Sequence, residues 1–262
     1  MPALVSLLDT TAVVTITRGG RRNALTLDDW ISLRDAVDQI SDVRAVVLTG
    51  SDGHFSSGMD LSPDNPLIAR VGPAMMNGDE RAARSVIEDL KGCVQALADL
   101  DVPTFAAIEG ACIGGGLELA LACDVRIAAS DAVIALPEVH AGMIPDLGGC
   151  VRLTRLIGTG RAIDLICTGR RISGEEAFQL GVVERVVAPG TALAAALAAA
   201  AQVATNGPTA VRMALNVVRT APDLGLAEAL AVETRGGIAA LTSGEPAEGI
   251  QAFFERRPPR WA

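Results

Sequence analysis

The chain has 262 residues, 50% of them hydrophobic, 20% charged and 3% aromatic, with 31 acidic against 22 basic side chains and a formal net charge of -9. This length suits one large domain, or a core with a small appendage, and the apolar fraction is too high for a disordered chain. The acidic balance opposes non-specific binding to nucleic acid or anionic lipid, and so few aromatic rings leave little for base stacking or aromatic cages.

The first elements read as a hairpin, with strand-like runs at Leu4 to Leu8 and Ala12 to Thr17 joined at Asp9-Thr10. A loop rich in Gly and Arg follows from Arg18 to Asn23. Thr26 offers an N-cap to a helix reaching about Ile40, with Leu33, Val37 and Ile40 on one face. Arg44 to Thr49 is a buried strand ended by Gly50, and a loop with Phe55, Gly58 and Asp60 comes after it. The segment from Ser62 to Gly78 holds three prolines and two glycines and is predicted to be a long loop, either a lid over a site or a disordered surface loop. A helix is predicted from about Glu80 to Leu100, with Val86, Leu90, Val94 and Leu97 at helical spacing. Next come a strand at Val102 to Ile108, a short helix at Gly114 to Ala122 and a strand at Val125 to Ala128. Alternating strands and helices predict α/β architecture with crossover connections. After a strand at Val182 to Val187 the chain reads as helical, with an alanine-rich helix over Leu193 to Thr205 and others starting near Pro208, Leu226 and Glu245.

The five cysteines, Cys93, Cys112, Cys123, Cys150 and Cys167, form no CxxC pair, which fits reduced, mostly buried thiols in a cytoplasmic protein. With His54 and His140 as the sole histidines, no metal site is expected. No signal peptide is read at the N-terminus, and the longest apolar run, Ala192 to Ala201, is far short of the ~18 residues of a membrane helix.

Chemistry concentrates in three places. In IEGACIGGGLELALACD, from Ile108 to Asp124, a strand runs through Gly114-Gly115-Gly116 straight into a helix. Glycines there let backbone approach a ligand and leave free N–H groups at the positive end of the helix. A tight turn that needs glycine for packing is the alternative. Glu118 falls in the first turn and either points toward the same pocket or simply complements the helix dipole. Glu138 follows a short strand and a proline at an element end, and a solvated loop carboxylate is the bland reading. Asp146, between Pro145 and Gly148-Gly149, is either a site residue or the N-cap of a helix beginning near Leu147. The loop HFSSGMDL, from His54 to Leu61, offers backbone donors, while His54 alone is weak evidence for a base.

Together these pieces resemble the enoyl-CoA hydratase/isomerase, or crotonase, family over nearly the whole chain. The resemblance rests on RRNAL at Arg21 to Leu25, FSSGMDL at Phe55 to Leu61 and IGGGLELALACD at Ile113 to Asp124. It continues through PEVHAGMIPDLGG at Pro137 to Gly149, TGRRISGEEAFQLGVVERVV at Thr168 to Val187 and EGIQAFFERRPPRW at Glu248 to Trp261. It implies a spiral of β-β-α repeats over residues 1–190, holding the acyl-CoA site. A C-terminal helical region over 191–262 would serve trimer assembly and close the CoA site. It also implies self-association as a homotrimer or dimer of trimers, with no cofactor beyond the coenzyme A of the substrate.

By the same resemblance, the backbone N–H groups of Met59 and Gly115 would form an oxyanion hole for the enolate of an acyl-CoA thioester, one such donor being worth about 3 kcal/mol. Glu118 and Glu138, twenty residues apart as in the family's hydratases, would hold a water, with Glu118 as base toward it and Glu138 protonating the α-carbon. Two carboxylates sharing one water should titrate as a coupled pair. Arg22 and Ala24 would lie near the pantetheine and phosphates. The backbone from Ser57 through Gly58 and Asp60 to Leu61 would run around the adenine, which Phe253 approaches from the C-terminal region, from the same or a neighbouring subunit. One departure stands out: Asp146 occupies a position where common hydratases have a small residue and some double-bond isomerases an acid. The expected function is therefore hydration of a 2-trans-enoyl-CoA, the alternatives being double-bond isomerisation through Asp146 or non-catalytic acyl-CoA binding. Binding of RNA, known among relatives, is opposed by the acidic balance and by Lys91 being the single lysine.

Overall fold

A computed structural model describes residues 3–261. The chain opens with the antiparallel hairpin of β1 (Ala3–Leu8) and β2 (Thr11–Ile16), Asp9 taking a left-handed φ of 53° in the turn. Helix α1 (Leu27–Asp38) starts where expected. The Thr26 hydroxyl accepts from the Asp29 N–H, and the Asp29 carboxylate accepts from the Thr26 N–H, a reciprocal cap worth about 1 kcal/mol. Its inner face buries Trp30, Leu33 and Val37. Strand β3 (Ala45–Gly50) then pairs parallel with β2.

The predicted loop at 62–78 is instead largely a helix, α2 (Pro66–Asn77). Asn65 caps it by accepting from the Leu67 N–H, Pro66 sits in the first turn where its missing N–H is no loss, and Gly78 closes it at φ 66°. Pro73 lies inside and removes one helical bond, which is why the sequence reads as broken. Packing of the helix on its successor, α3 (Glu80–Ala98), offsets that loss, with Leu67 fully buried and Ile68, Val71 and Met75 on neighbouring turns.

From α3 onward each turn supplies one strand to each of two sheets. Strand β4 (Thr104–Ile108) enters the main sheet and β5 (Ala111–Ile113) a smaller one, before α4 (Gly115–Ala122). Strand β6 (Val125–Ala129) returns to the main sheet and β7 (Val133–Ala135) to the smaller, followed by a 3-10 turn at Glu138–Ala141, α5 (Gly149–Ile157) and α6 (Thr159–Thr168). The last turn contributes β8 (Ile172–Ser173), α7 (Gly174–Leu180) and β9 (Arg185–Val187). The main sheet has the order β1-β2-β3-β4-β6-β9, parallel beyond the first hairpin, and the smaller has the order β5-β7-β8. This is the expected α/β spiral of β-β-α turns. Strand β9 is shorter than expected, because the Val182 N–H bonds back to the Ala177 carbonyl at the end of α7.

The C-terminal helices are α8 (Ala192–Ala204), α9 (Pro208–Thr220), α10 (Leu226–Thr242) and α11 (Glu245–Glu255). The alanine stripe Ala192, Ala196, Ala199 and Ala200 lets α8 lie close on Val47, Phe105 and Ile127 of the main sheet, so α8 packs with the spiral. Helices α9 and α10 pack on each other and bury no residue fully. Arg219 ties α9 to the spiral through two bonds to the Asp124 carboxylate (2.7 and 2.6 Å) and one to the Leu100 carbonyl (2.6 Å). Among the described residues no helix is long and apolar enough to cross a membrane.

Candidate active site

A cavity of about 240 Å³ lies between α1, the loop before α2, α2, α3, the start of α4 and the loop from Pro137 to Leu147. Its backbone edge is built by two glycine-bearing segments in contact. Leu25 and Met59 form an isolated parallel bridge: the Leu25 N–H donates to the Gly58 carbonyl (2.7 Å) and the Asp60 N–H to the Leu25 carbonyl (2.9 Å). That pattern spends the groups flanking Met59 on Leu25 and turns the Met59 N–H the other way. Gly58 has φ 85°, and a Cβ there would lie 2.6 Å from the Ile113 carbonyl oxygen and 3.0 Å from the Gly115 nitrogen. Only glycine allows this approach. Gly115 opens α4, so its N–H has no partner one turn back. Among the described residues, neither the Met59 nor the Gly115 N–H has an acceptor in the chain.

Three carboxyl groups line the same cavity. Glu118, one turn into α4 and 3% exposed, accepts from the N–H groups of Leu147 (2.8 Å) and Gly149 (2.9 Å) on one oxygen, Oε1. Burial pushes its carboxyl up to about 8; the bond from Gly149 opposes this, and the neighbouring Glu138 and Asp146 add to it. Glu138 starts the 3-10 turn after Pro137, and its Oε2 is buried with no hydrogen-bond partner. Its Oε1 sits 2.9 Å from where a Cβ on Gly114 would be, beside the Gly115 donor. Burial raises the Glu138 carboxyl, and Asp146 adds to the rise. Asp146 is also raised by burial, with Lys91 pulling the other way.

Asp146 is not the cap of the following helix. Helix α5 starts at Gly149 with Gly148 as its N-cap and no side-chain cap bond. The Gly149 N–H, which a cap at Asp146 would claim, is taken by Glu118.

The rest of the wall is apolar. Helix α2 supplies Ile68, Val71 and Met75, and α3 supplies Val86, Ile87 and Leu90. Trp30 of α1 lies at the floor, fully buried, with ring carbons 3.0 and 3.3 Å from where a Cβ on Gly115 would sit, and its Nε1–H has no partner. Sequence reading missed Trp30 and the α3 wall, because their spacing is that of ordinary core residues.

The other singled-out residues divide. Ser57, Met59 and Leu61 line the cavity, whereas Arg22, Ala24, Gly58, Asp60 and Phe253 do not. Arg22 is exposed at a left-handed φ of 51°. The Asp60 carboxylate turns inward to Arg18 (3.0 Å) and to the N–H and hydroxyl of Ser62; chiefly that hydroxyl holds it below the usual carboxylate range. Its side chain is thus spent inside the protein, as are its N–H on Leu25 and its carbonyl on the Asn65 amide (2.6 Å). Phe253, 77% exposed on α11, stacks edge to face on Phe254. His54 accepts from the Ala111 N–H (3.1 Å) and so fastens its loop to β5. Of the cysteines, Cys93, Cys112 and Cys123 are buried, Cys150 is half-buried and Cys167 is exposed, all as free thiols.

Two unpartnered N–H groups beside one buried and one half-buried carboxyl group can stabilise an oxyanion while moving protons at adjacent atoms. Known proteins share the arrangement's framework. A sequence profile described as enoyl-CoA hydratase/isomerase matches residues 8–262. YngF of Bacillus subtilis, a candidate enoyl-CoA hydratase/isomerase, is 39% identical over 250 residues, covering 94% of this chain and 92% of its own. The peroxisomal Delta(3,5)-Delta(2,4)-dienoyl-CoA isomerase of Arabidopsis thaliana is 32% identical, covering 94% of this chain and 91% of its own. The crystal structure of enoyl-CoA hydratase from Bacillus anthracis superposes with a TM-score of 0.90 at 34% identity, covering 100% of this chain and 99% of that one.

Proposed function

The chain belongs to the enoyl-CoA hydratase/isomerase family, and from that premise we propose that it adds water across the double bond of a 2-trans-enoyl-CoA to give a 3-hydroxyacyl-CoA. The observation carrying this reading is the convergence of Glu118 and Glu138 on one cavity with the two unpartnered N–H groups.

The thioester carbonyl oxygen sits between the Met59 and Gly115 N–H groups. As water adds to the β-carbon, negative charge moves onto that oxygen and both hydrogen bonds strengthen, each donor contributing about 3 kcal/mol in the transition state. Glu118 and Glu138 hold the water. One carboxylate takes its proton as the C–O bond forms, and the other carboxyl gives a proton to the α-carbon as the enolate collapses. The pair begins and ends with one proton. Burial of both groups suits this sharing, since two neighbouring carboxylates resist ionising together. A water between them lets that proton pass from one to the other, so the acid and base roles belong to the pair.

The nucleotide end of the substrate runs past Arg22, Ala24 and the backbone of Ser57 to Leu61, with Phe253 of the same or a neighbouring chain against the adenine. The exposed Leu226, Leu230, Ile238 and Leu241 of α10 form the contact of a homotrimer or dimer of trimers. Coenzyme A enters as part of the substrate and no further cofactor takes part.

The test is loss of the conjugated enoyl absorbance on incubation with crotonyl-, hexenoyl- and decenoyl-CoA. No hydration of any of the three would refute the reading. A second reading, double-bond isomerisation, is favoured by Asp146, a third and half-buried acid in the same cavity able to carry a proton between more distant carbons. It requires activity on 3-enoyl- or 3,5-dienoyl-CoA that is lost in Asp146→Asn.

A further inference from the structure

The loop from Arg18 to Asn23 lines no part of the cavity, yet Arg18 reaches the segment that carries Met59. Its Nη1 donates to the Ala24 carbonyl (2.6 Å) and lies 3.1 Å from Asp29 Oδ2 and 3.0 Å from Asp60 Oδ2. These partners belong to the three pieces around the Met59 donor. Ala24 precedes Leu25, the bridge partner of Met59. Asp29 caps α1 by accepting from the N–H and hydroxyl of Thr26 (2.7 Å each), just after Leu25. Asp60 follows Met59 and gives its own N–H to the Leu25 carbonyl. The two carboxylates are 6% and 5% exposed and meet at a single guanidinium nitrogen. Without that cation they would repel one another across the bridge.

The bridge itself has two hydrogen bonds, both to Leu25. The same segments are also tied before the bridge, by the Ser57 N–H to the Arg22 carbonyl (2.9 Å), and after it by Asn65, which donates to the Asp60 carbonyl (2.6 Å) and accepts from the Leu27 N–H (3.3 Å). Arg18 adds the charged tie, and the Met59 N–H must meet an oxygen that the Gly115 N–H reaches from another segment. We propose that Arg18 is a positioning residue for the Met59 donor: by binding Ala24, Asp29 and Asp60 together it sets the register of the Leu25–Met59 bridge, and with it the spacing of the two N–H groups. This rests on the reading that those groups hold the thioester carbonyl. Arg18 itself touches no substrate. All three contacts fall on Nη1, so a lysine ammonium keeps the charge but, on a different and more flexible stem, not the position of that nitrogen.

The experiment uses full-length wild type, Arg18→Met and Arg18→Lys. Kinetics on an enoyl-CoA are combined with the absorption spectrum of a bound 2,4-dienoyl-CoA, whose conjugated thioester absorbs at longer wavelength as donors polarise its carbonyl. Arg18→Met is expected to bind the dienoyl-CoA with a smaller red shift and to lose about 10- to 100-fold in kcat, the range for a misplaced donor, while KM changes little. Arg18→Lys is expected to recover part of both. If Arg18→Met does not fold, Arg18→Lys against wild type carries the same comparison with a smaller loss. Folded variants with the wild-type red shift overturn the proposal, whether or not kcat falls, since the donor would then be in place. A wild type that neither shifts the dienoyl spectrum nor hydrates enoyl-CoA removes the donor reading, and this proposal with it.

Discussion

Glu118→Gln keeps the shape of the side chain and an acceptor oxygen for Leu147 and Gly149, and it deletes one ionisation. The folded chain holds the Glu118 carboxyl at about 8, against 4.5 for an ordinary glutamate, chiefly because the group is buried. The native state therefore keeps a proton that the unfolded chain has released. Between pH 4.5 and 8 the unfolded state binds fewer protons, so stability falls as pH rises. The contribution of the protonated carboxyl is fully present below about 4.5 and gone above about 8. Each step of one in pKa is worth about 1.36 kcal/mol, so the whole span is worth about 5 kcal/mol. Glutamine carries no such dependence. Urea unfolding of both proteins at one protein concentration, from pH 5 to pH 9, should show a stability difference that grows in favour of Glu118→Gln by several kcal/mol toward the alkaline end. The same variant should be nearly inactive. A difference that stays flat across this range would show that Glu118 titrates normally, and the account of a proton stored in the cavity would be wrong.

Glu138→Gln should lower turnover of crotonyl-CoA by about 10²- to 10⁴-fold, the usual contribution of a positioned acid or base, and near-wild-type turnover would refute its role. For the wild type, kcat/KM against pH should have an alkaline limb near 8, where the carboxyl pair loses its shared proton; a profile flat through pH 9 would contradict this. Gly58→Ala should destabilise the protein by about 1–3 kcal/mol and lower kcat, because φ is 85° and the new Cβ would lie 2.6 Å from the Ile113 carbonyl oxygen. Thermal melts and initial rates that match wild type would show that the two segments can part without consequence.

Much of the fold was legible because its signals are local. The hairpin, the Thr26 cap, the strand at 45–50, the stripe of Val86, Leu90, Val94 and Leu97 and the glycine turn into α4 each depend on residues within a few positions of one another. Helix α2 was not legible, because Pro73 weakens it locally and packing on α3 restores it. Asp146 stayed open between site residue and cap because its place before two glycines suits both; what excludes the cap is that the Gly149 N–H is claimed by a residue 31 positions earlier, which no local pattern shows.

The sequence by itself determined the alternating α/β elements and singled out Glu118, Glu138 and the glycine turn, since turn chemistry and periodicity are written in neighbouring residues, while its resemblance to the family implied the spiral and the Met59 and Gly115 donors. The tertiary structure alone decided which of these groups are left without partners and which carboxyls are buried enough to keep a proton. Glu118 takes its hydrogen bonds from Leu147 and Gly149, and Arg18 joins Asp29 to Asp60 across the bridge that aims Met59. An unpaired N–H or a raised pKa is a property of what surrounds a residue, and in this protein those surroundings arrive from turns of the spiral far apart along the chain.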